Sequence, residues 1–259
     1  MDKYVDNWEN KGLREVVLLS DLNLSIAHVR KLSKLKQKKF RTLEQKVIVE
    51  GYRTLSQLAG WGIIAEELYL VEGQKAITAK AVYHVSHDTM NRICDSDSPP
   101  SIAGLFELPK ERTLKFNSAF YLDGISDPGN MGTMFRIAAA FGIDCLLLSP
   151  QSCEISSPKV IRASLGAVYK VPFYICDYAT LKALGHKIIV LDMEGSIALQ
   201  DYTDKPSPYI IALGSEAHGL SGEIREMAET SLRIDMSGDM ESLNVAVCAG
   251  ICAFQLSKK

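Results

Sequence analysis

Short apolar runs, broken by polar loops that carry glycine, recur along most of the chain. Val47-Ile48-Val49-Glu50-Gly51 predicts a strand running into a turn, residues 52–59 a helix closed by Gly60 and Gly62, and 67–71 a second strand. Residues 78–83 hold a further helix-to-strand passage. This alternation predicts a small α/β sandwich over 26–95. Ser96-Asp97-Ser98-Pro99-Pro100-Ser101 then interrupts the pattern, because paired prolines forbid a helix and favour extended backbone. Residues 96–116 therefore read as an interdomain linker. Residues 1–25, with a helix expected over 11–24, read as an N-terminal extension.

The second half, 117–259, repeats the alternation more regularly. Strands are expected at 119–122, 145–148, 187–191, 209–213 and 233–236, and helices at 131–141, 180–184 and from Ser242-Leu243-Asn244 to Leu256. Gly142 suits a helix C-cap and Pro158 a first helical position. Polar loops follow the strands, and the carboxyl ends of strands are where α/β proteins bind small ligands. Taken alone, the pattern predicts an open, doubly wound, mainly parallel sheet.

Composition narrows the class. Apolar residues make up 47% and charged residues 23% of the chain, as in ordinary globular proteins. No apolar run approaches the roughly 18 residues of a membrane span, and the N-terminus lacks the basic start and apolar centre of a signal peptide. A cytoplasmic protein is the expectation. The six cysteines are scattered without a C-x-x-C pair, which predicts buried thiols. His84 and His87 could share a helical face, but no second ligand pair lies nearby, so no metal is expected.

A net charge of −2 does not announce a nucleic-acid partner, yet the charge is uneven. Arg30, Lys31, Lys34, Lys38, Lys39 and Arg41 cluster around Leu32 and Leu35. Two readings fit: a solvated helix face, or a patch that gains affinity by releasing counterions from RNA phosphates.

The candidate chemistry sits in three separated clusters. One is Asp127-Pro128-Gly129-Asn130-Met131-Gly132, with Arg136 six residues beyond Asn130. Another is Leu213-Gly214-Ser215-Glu216-Ala217-His218-Gly219-Leu220-Ser221, and the last is Ile234-Asp235-Met236 with Ser242-Leu243-Asn244. In order and spacing these resemble the three motifs of the SpoU branch of the SPOUT methyltransferases, over about 120–256. The resemblance implies transfer of methyl from S-adenosylmethionine to a ribose 2'-hydroxyl of rRNA or tRNA. It also implies a deep trefoil knot in the C-terminal domain and a homodimer through it. Main-chain groups around Leu191, Gly214, Ile234 and Leu243 then correspond to the donor contacts. The catalytic set becomes Arg136, Asn130, Glu216, Ser242 and Asn244, with Glu216 orienting Arg136 and Asn244 rather supporting the knot.

Alone, Asn130 at a helix start reads as a cap. Arg162 reads either as a phosphate contact beside the substrate or as a plain surface arginine. The 26–95 region also resembles the RNA-binding domain fused ahead of many such enzymes, itself similar to ribosomal proteins that bind kinked RNA. Two rivals remain in view. A dinucleotide oxidoreductase lacks its G-x-G-x-x-G after a strand, and a catalytically inactive RNA-binding or ribosome-assembly protein need not keep all of these polar groups.

Overall fold

A computed structural model describes residues 24–112, 115–204, 207–215, 217–238 and 242–257. The expected extension, 1–25, lies almost wholly outside the described residues, as does Glu216. Internal contacts divide the chain between Glu107 and Leu108.

The N-terminal unit runs α1 (Ile26–Lys34), α2 (Lys38–Glu44), β1 (Lys46–Glu50), α3 (Tyr52–Gly60), β2 (Ala65–Leu70), β3 (Ala79–His84), α4 (His87–Ile93) and β4 (Ile102–Glu107). Its sheet has the order β1-β4-β2-β3, with β4 antiparallel to both neighbours and β2 parallel to β3. Ser25 and Ser86 start α1 and α4 by accepting hydrogen bonds from His28 N and Thr89 N, each at 3.2 Å. Val29, Leu32, Met90 and Ile93 of these helices pack on Ile48, Tyr69 and Leu105 of the sheet. Gly104 turns towards Leu55 of α3, whose Cδ2 lies 3.2 Å from where a Cβ would be.

Two expectations change here. The linker read over 96–116 contains β4, which lies between β1 and β2 and is buried from Ile102 to Phe106. The prolines before it mark a crossing inside the unit. Glu50 accounts for that crossing: its buried carboxylate accepts from Asp95 N at 2.6 Å and from the Ser96 hydroxyl. His84 and His87 do not share a helix, since one ends β3 and the other begins α4.

The C-terminal unit runs β5 (Ser118–Asp123), α5 (Pro128–Phe141), β6 (Cys145–Leu148), α6 (Pro158–Ala163), α7 (Ala167–Lys170), β7 (Phe173–Ile175), α8 (Tyr178–Ala183) and β8 (Lys187–Leu191). It continues with β9 (Ile197–Ala198), a 3-10 turn at Leu199–Asp201, β10 (Tyr209–Gly214), α9 (Gly222–Met227), β11 (Thr230–Arg233) and α10 (Val245–Ser257). The seven strands are ordered β7-β6-β5-β10-β8-β11-β9, and every pairing is parallel. A parallel sheet covered on both faces wants unbroken apolar strands, and β5 is buried at every position. β10 enters between β5 and β8, with Gly214 level with Asp123. The last strand stops earlier than its apolar run suggested: Leu232 pairs with Leu191 and Ile197, and residues 234–236 leave the sheet.

Burial pushes the Cys145 and Cys252 thiols up to about 12 and the Cys176 thiol up to about 11. Cys153 and Cys248 are only half-buried, short of the burial expected of them. Among the described residues no helix is long and apolar enough to cross a membrane.

Arg41 is the basic residue whose environment departs most from the solvated patch. It is 4% exposed, and its Nη1 donates to Leu35 O at 3.0 Å and Lys36 O at 2.7 Å, the carbonyls that α1 leaves behind. Arg30, Lys31, Lys34, Lys38 and Lys39 remain exposed. Arg41→Ala is therefore expected to cost about 1–3 kcal/mol of stability by stranding those carbonyls, measured by chemical denaturation.

Candidate active site

The first motif is mostly scaffold. Asp127 caps α5 by accepting from Asn130 N at 2.8 Å, and Pro128 takes the first helical position, where no N–H is needed. The cap is thus Asp127 and not Asn130. Gly132 lets α6 approach: a Cβ there would lie 2.5 Å from Ala163 Cβ and 2.7 Å from Val160 O. The side chains left over for chemistry are Asn130, half-buried, and Arg136, exposed on α5.

The second motif closes on itself. Ser215 and Gly219 exchange main-chain hydrogen bonds at 3.1 and 2.8 Å. Gly219 folds back so tightly that a Cβ on Gly214 would lie 2.1 Å from the Gly219 carbonyl carbon. The missing side chain at 214 is what lets the loop close on itself. Ser221 then caps α9 by accepting from Ile224 N at 3.4 Å. Asp123, 6% exposed at the end of β5, accepts from Ser221 N at 2.8 Å and from the Tyr178 hydroxyl at 3.0 Å.

The third motif meets the first. Asn244 Oδ1 accepts from Ala246 N and Val247 N at 3.0 and 3.2 Å, capping α10, while its Nδ2 donates to Asn130 Oδ1 at 3.0 Å. Asp235 accepts from Arg233 Nε at 2.8 Å and Gln200 Nε2 at 2.5 Å, which holds the chain on either side of Ile234.

A pocket of about 650 Å³ opens at the carboxyl ends of β8, β10 and β11. Leu191, Gly214, Ile234, Ser242 and Leu243 all line it. Met193, Met236 and Leu243 expose apolar side chains there, at 63%, 37% and 37% of their full surface. A concave apolar pocket with a few converging polar groups is the usual form of a small-ligand site. Asn130, Arg136 and Asn244 are not part of its lining. Arg162 is half-buried on α6, also outside it.

Sequence reasoning passed over Asp192, Glu194, Arg225 and Cys248, which line the same pocket. The signal for the first two was available: a carboxylate directly after an apolar strand. Arg225 gave no such signal. Among the described residues, no group of three or more His, Cys, Asp or Glu is placed to hold a metal ion.

Gly214→Ala is expected to cost about 1–3 kcal/mol through overpacking against the Gly219 carbonyl and to deform the pocket mouth. Thermal denaturation and donor titration together read both effects.

Comparison with known proteins agrees with this geometry. The chain is 28% identical over 238 residues to the 23S rRNA (guanosine(2553)-2'-O)-methyltransferase RlmP of Bacillus subtilis, covering 88% of this chain and 95% of that protein. It is 26% identical to the mitochondrial rRNA methyltransferase 3 of Xenopus tropicalis, over 85% of this chain and 71% of the relative. A TrmH-family RNA methyltransferase structure from Porphyromonas gingivalis superposes with a TM-score of 0.77 at 28% identity, covering 91% of this chain and 98% of the other. The SpoU methyltransferase AviRb from Streptomyces viridochromogenes, solved with AdoMet, shares the fold with a TM-score of 0.75 at 21% identity, covering 90% and 98%. Residues 27–104 match the MRM3-like substrate binding domain, and residues 117–254 match the SpoU rRNA Methylase family. The chain belongs to the SpoU rRNA methylase family.

Proposed function

We infer that the chain transfers a methyl group from S-adenosylmethionine to a ribose 2'-hydroxyl of structured rRNA or tRNA. The observation that carries this is the single pocket joining Leu191, Gly214, Ile234 and Leu243 at the carboxyl ends of three parallel strands, in a member of this family. The pocket suits the donor. Leu191, Leu213, Ile234, Met236 and Leu243 offer an apolar seat for adenine, while Ser215 and Ser242 offer polar contacts for ribose and the amino-acid tail. When bound, the donor supplies a methyl group on a sulfonium, activated for in-line displacement.

The chain's own residues must align the ribose and manage its proton. Arg136 is the residue we place at the reacting hydroxyl. A guanidinium stays protonated, which makes it a poor base but a good grip for phosphate and a good neighbour for a developing alkoxide. Glu216 orients Arg136 in this reading. Asn130, held by Asn244, and Ser242 fix the surrounding geometry.

Because Arg136 stands outside the lining of the pocket in its own chain, a homodimer that supplies it to the partner's pocket fits best. Val247, Ile251 and Phe254 make an exposed apolar stripe on α10, and Phe141 lies edge-on to Phe254 with ring centres 6.2 Å apart. A second copy would cover that stripe. We also propose that the C-terminal segment is threaded as a deep trefoil knot. The insertion of β10 between β5 and β8 supports this, with Ser242, Leu243 and Val245 returning to the pocket.

The N-terminal unit serves as the RNA-binding part, through Arg30, Lys31, Lys34, Lys38 and Lys39. Lys31 also pairs with Glu44 at 2.7 Å. Arg162 is proposed as an additional phosphate contact. A cytoplasmic location follows from an RNA substrate of this class.

Arg136→Ala is expected to lower methyl transfer by at least about 100-fold while leaving donor affinity within about twofold of wild type. Labelled-methyl transfer to RNA and calorimetry measure the two, and full activity would remove the mechanism. Mapping 2'-O-methyl positions in RNA from cells lacking the protein identifies the substrate. Phe254→Asp is expected to yield monomers in sedimentation velocity, since it buries an uncompensated charge in the interface.

A further inference from the structure

Asp192 and Arg225 meet at the wall of the donor pocket, far apart in sequence and on different elements. Asp192 is the first residue beyond β8, and its side chain is only 10% exposed. Its main-chain N–H donates to Leu232 O at 2.9 Å, which fixes it against β11. Its Oδ1 accepts from Glu194 N at 3.2 Å, and its Oδ2 accepts from Arg225 Nη1. Arg225, on α9, also donates from Nε to Leu220 O at 3.4 Å. Its Nη2 lies 3.6 Å from where a Cβ of Gly219 would be. The guanidinium therefore touches the loop that forms one wall of the pocket and the strand end that forms another.

The loop is held from inside by the Ser215–Gly219 exchange, by His218 N donating to Ser215 Oγ at 3.2 Å and by Leu220, which is buried in the core. Arg225 adds a link from the loop to the end of β8. The planar fork of arginine suits a group that must face a carboxylate and a carbonyl at once. Lysine presents a point charge and cannot keep both contacts in that geometry.

We propose that Arg225, acting through Asp192, is a positioning residue: it holds Gly219 and Leu220 against the end of β8 and so sets the width of the donor pocket. The inference rests on the methyltransferase reading above for the identity of the ligand. Arg225 touches neither reacting atom; its effect passes through the loop.

The test uses the full-length protein with Arg225→Ala, Arg225→Lys, Asp192→Asn and the Asp192→Asn/Arg225→Ala double variant. Calorimetry with S-adenosylmethionine is expected to show about tenfold weaker binding in Arg225→Ala, the scale of one charge-assisted hydrogen bond. Arg225→Lys should recover part of this. The double variant should be no worse than the poorer single variant, because both remove the same link. In steady state the KM for the donor rises while kcat at saturating donor stays within about twofold. Hydrogen exchange of the donor-free protein is expected to speed up at residues 217–221, by about tenfold, with the strands unchanged.

Unchanged exchange in that segment overturns the proposal whatever the donor data show. Unchanged donor affinity in Arg225→Ala, or a fall in kcat with KM unmoved, overturns it too. Additive losses in the double variant count against it in the same way. A wild-type chain that takes up no S-adenosylmethionine sinks the methyltransferase reading along with the proposal. A wild-type chain that binds normally, beside variants that also bind normally, sinks only the link.

Discussion

The placement of β10 between β5 and β8 is the constraint on which the rest of the C-terminal unit depends. β10 is hydrogen-bonded on both edges, so its register is set twice, with Tyr209 level with Ser118 of β5 and with Lys187 of β8. Its register therefore fixes Gly214 level with Asp123 and leaves the second motif leaning over the ends of its neighbours. From there the geometry follows with little freedom. Asp123 takes the Ser221 N–H, α9 begins, and Arg225 comes round to Asp192.

Each motif divides into residues that shape the backbone and residues that are left over. In the first, the sequence Asp127-Pro128-Gly129 starts a helix, and Gly132 lets α6 lie close to it. In the second, Gly214 and Gly219 make a loop in which main chain packs on main chain. In the third, Asn244 spends one side-chain atom on starting α10 and the other on Asn130. The leftovers are Asn130, Arg136 and Ser242. A motif recognised as a string of letters is, in space, mostly a set of instructions for turning the chain.

This explains what was legible in the sequence and what was not. Buried parallel strands such as β5, β6, β8 and β10 are unbroken apolar runs, so periodicity and length found them. β9, two residues long, offered no run to find, and β4 was hidden by the prolines that precede it. The residues lining the pocket were partly readable, because strand-end positions carry a signal. Arg225 was not, since an arginine on a short amphipathic helix looks like any solvated charge until its partner is placed. Arg41 erred in the opposite direction: it counted as one of a basic group, yet its guanidinium turns inward to end a helix.

The pocket draws its walls from Leu191 through to Cys248, and the Asn244–Asn130 hydrogen bond between motifs forms only when the start of α10 has been laid down. During translation, then, the strands of the C-terminal unit can be made and even paired while no competent cradle exists. Catalytic competence arrives late in synthesis and all at once.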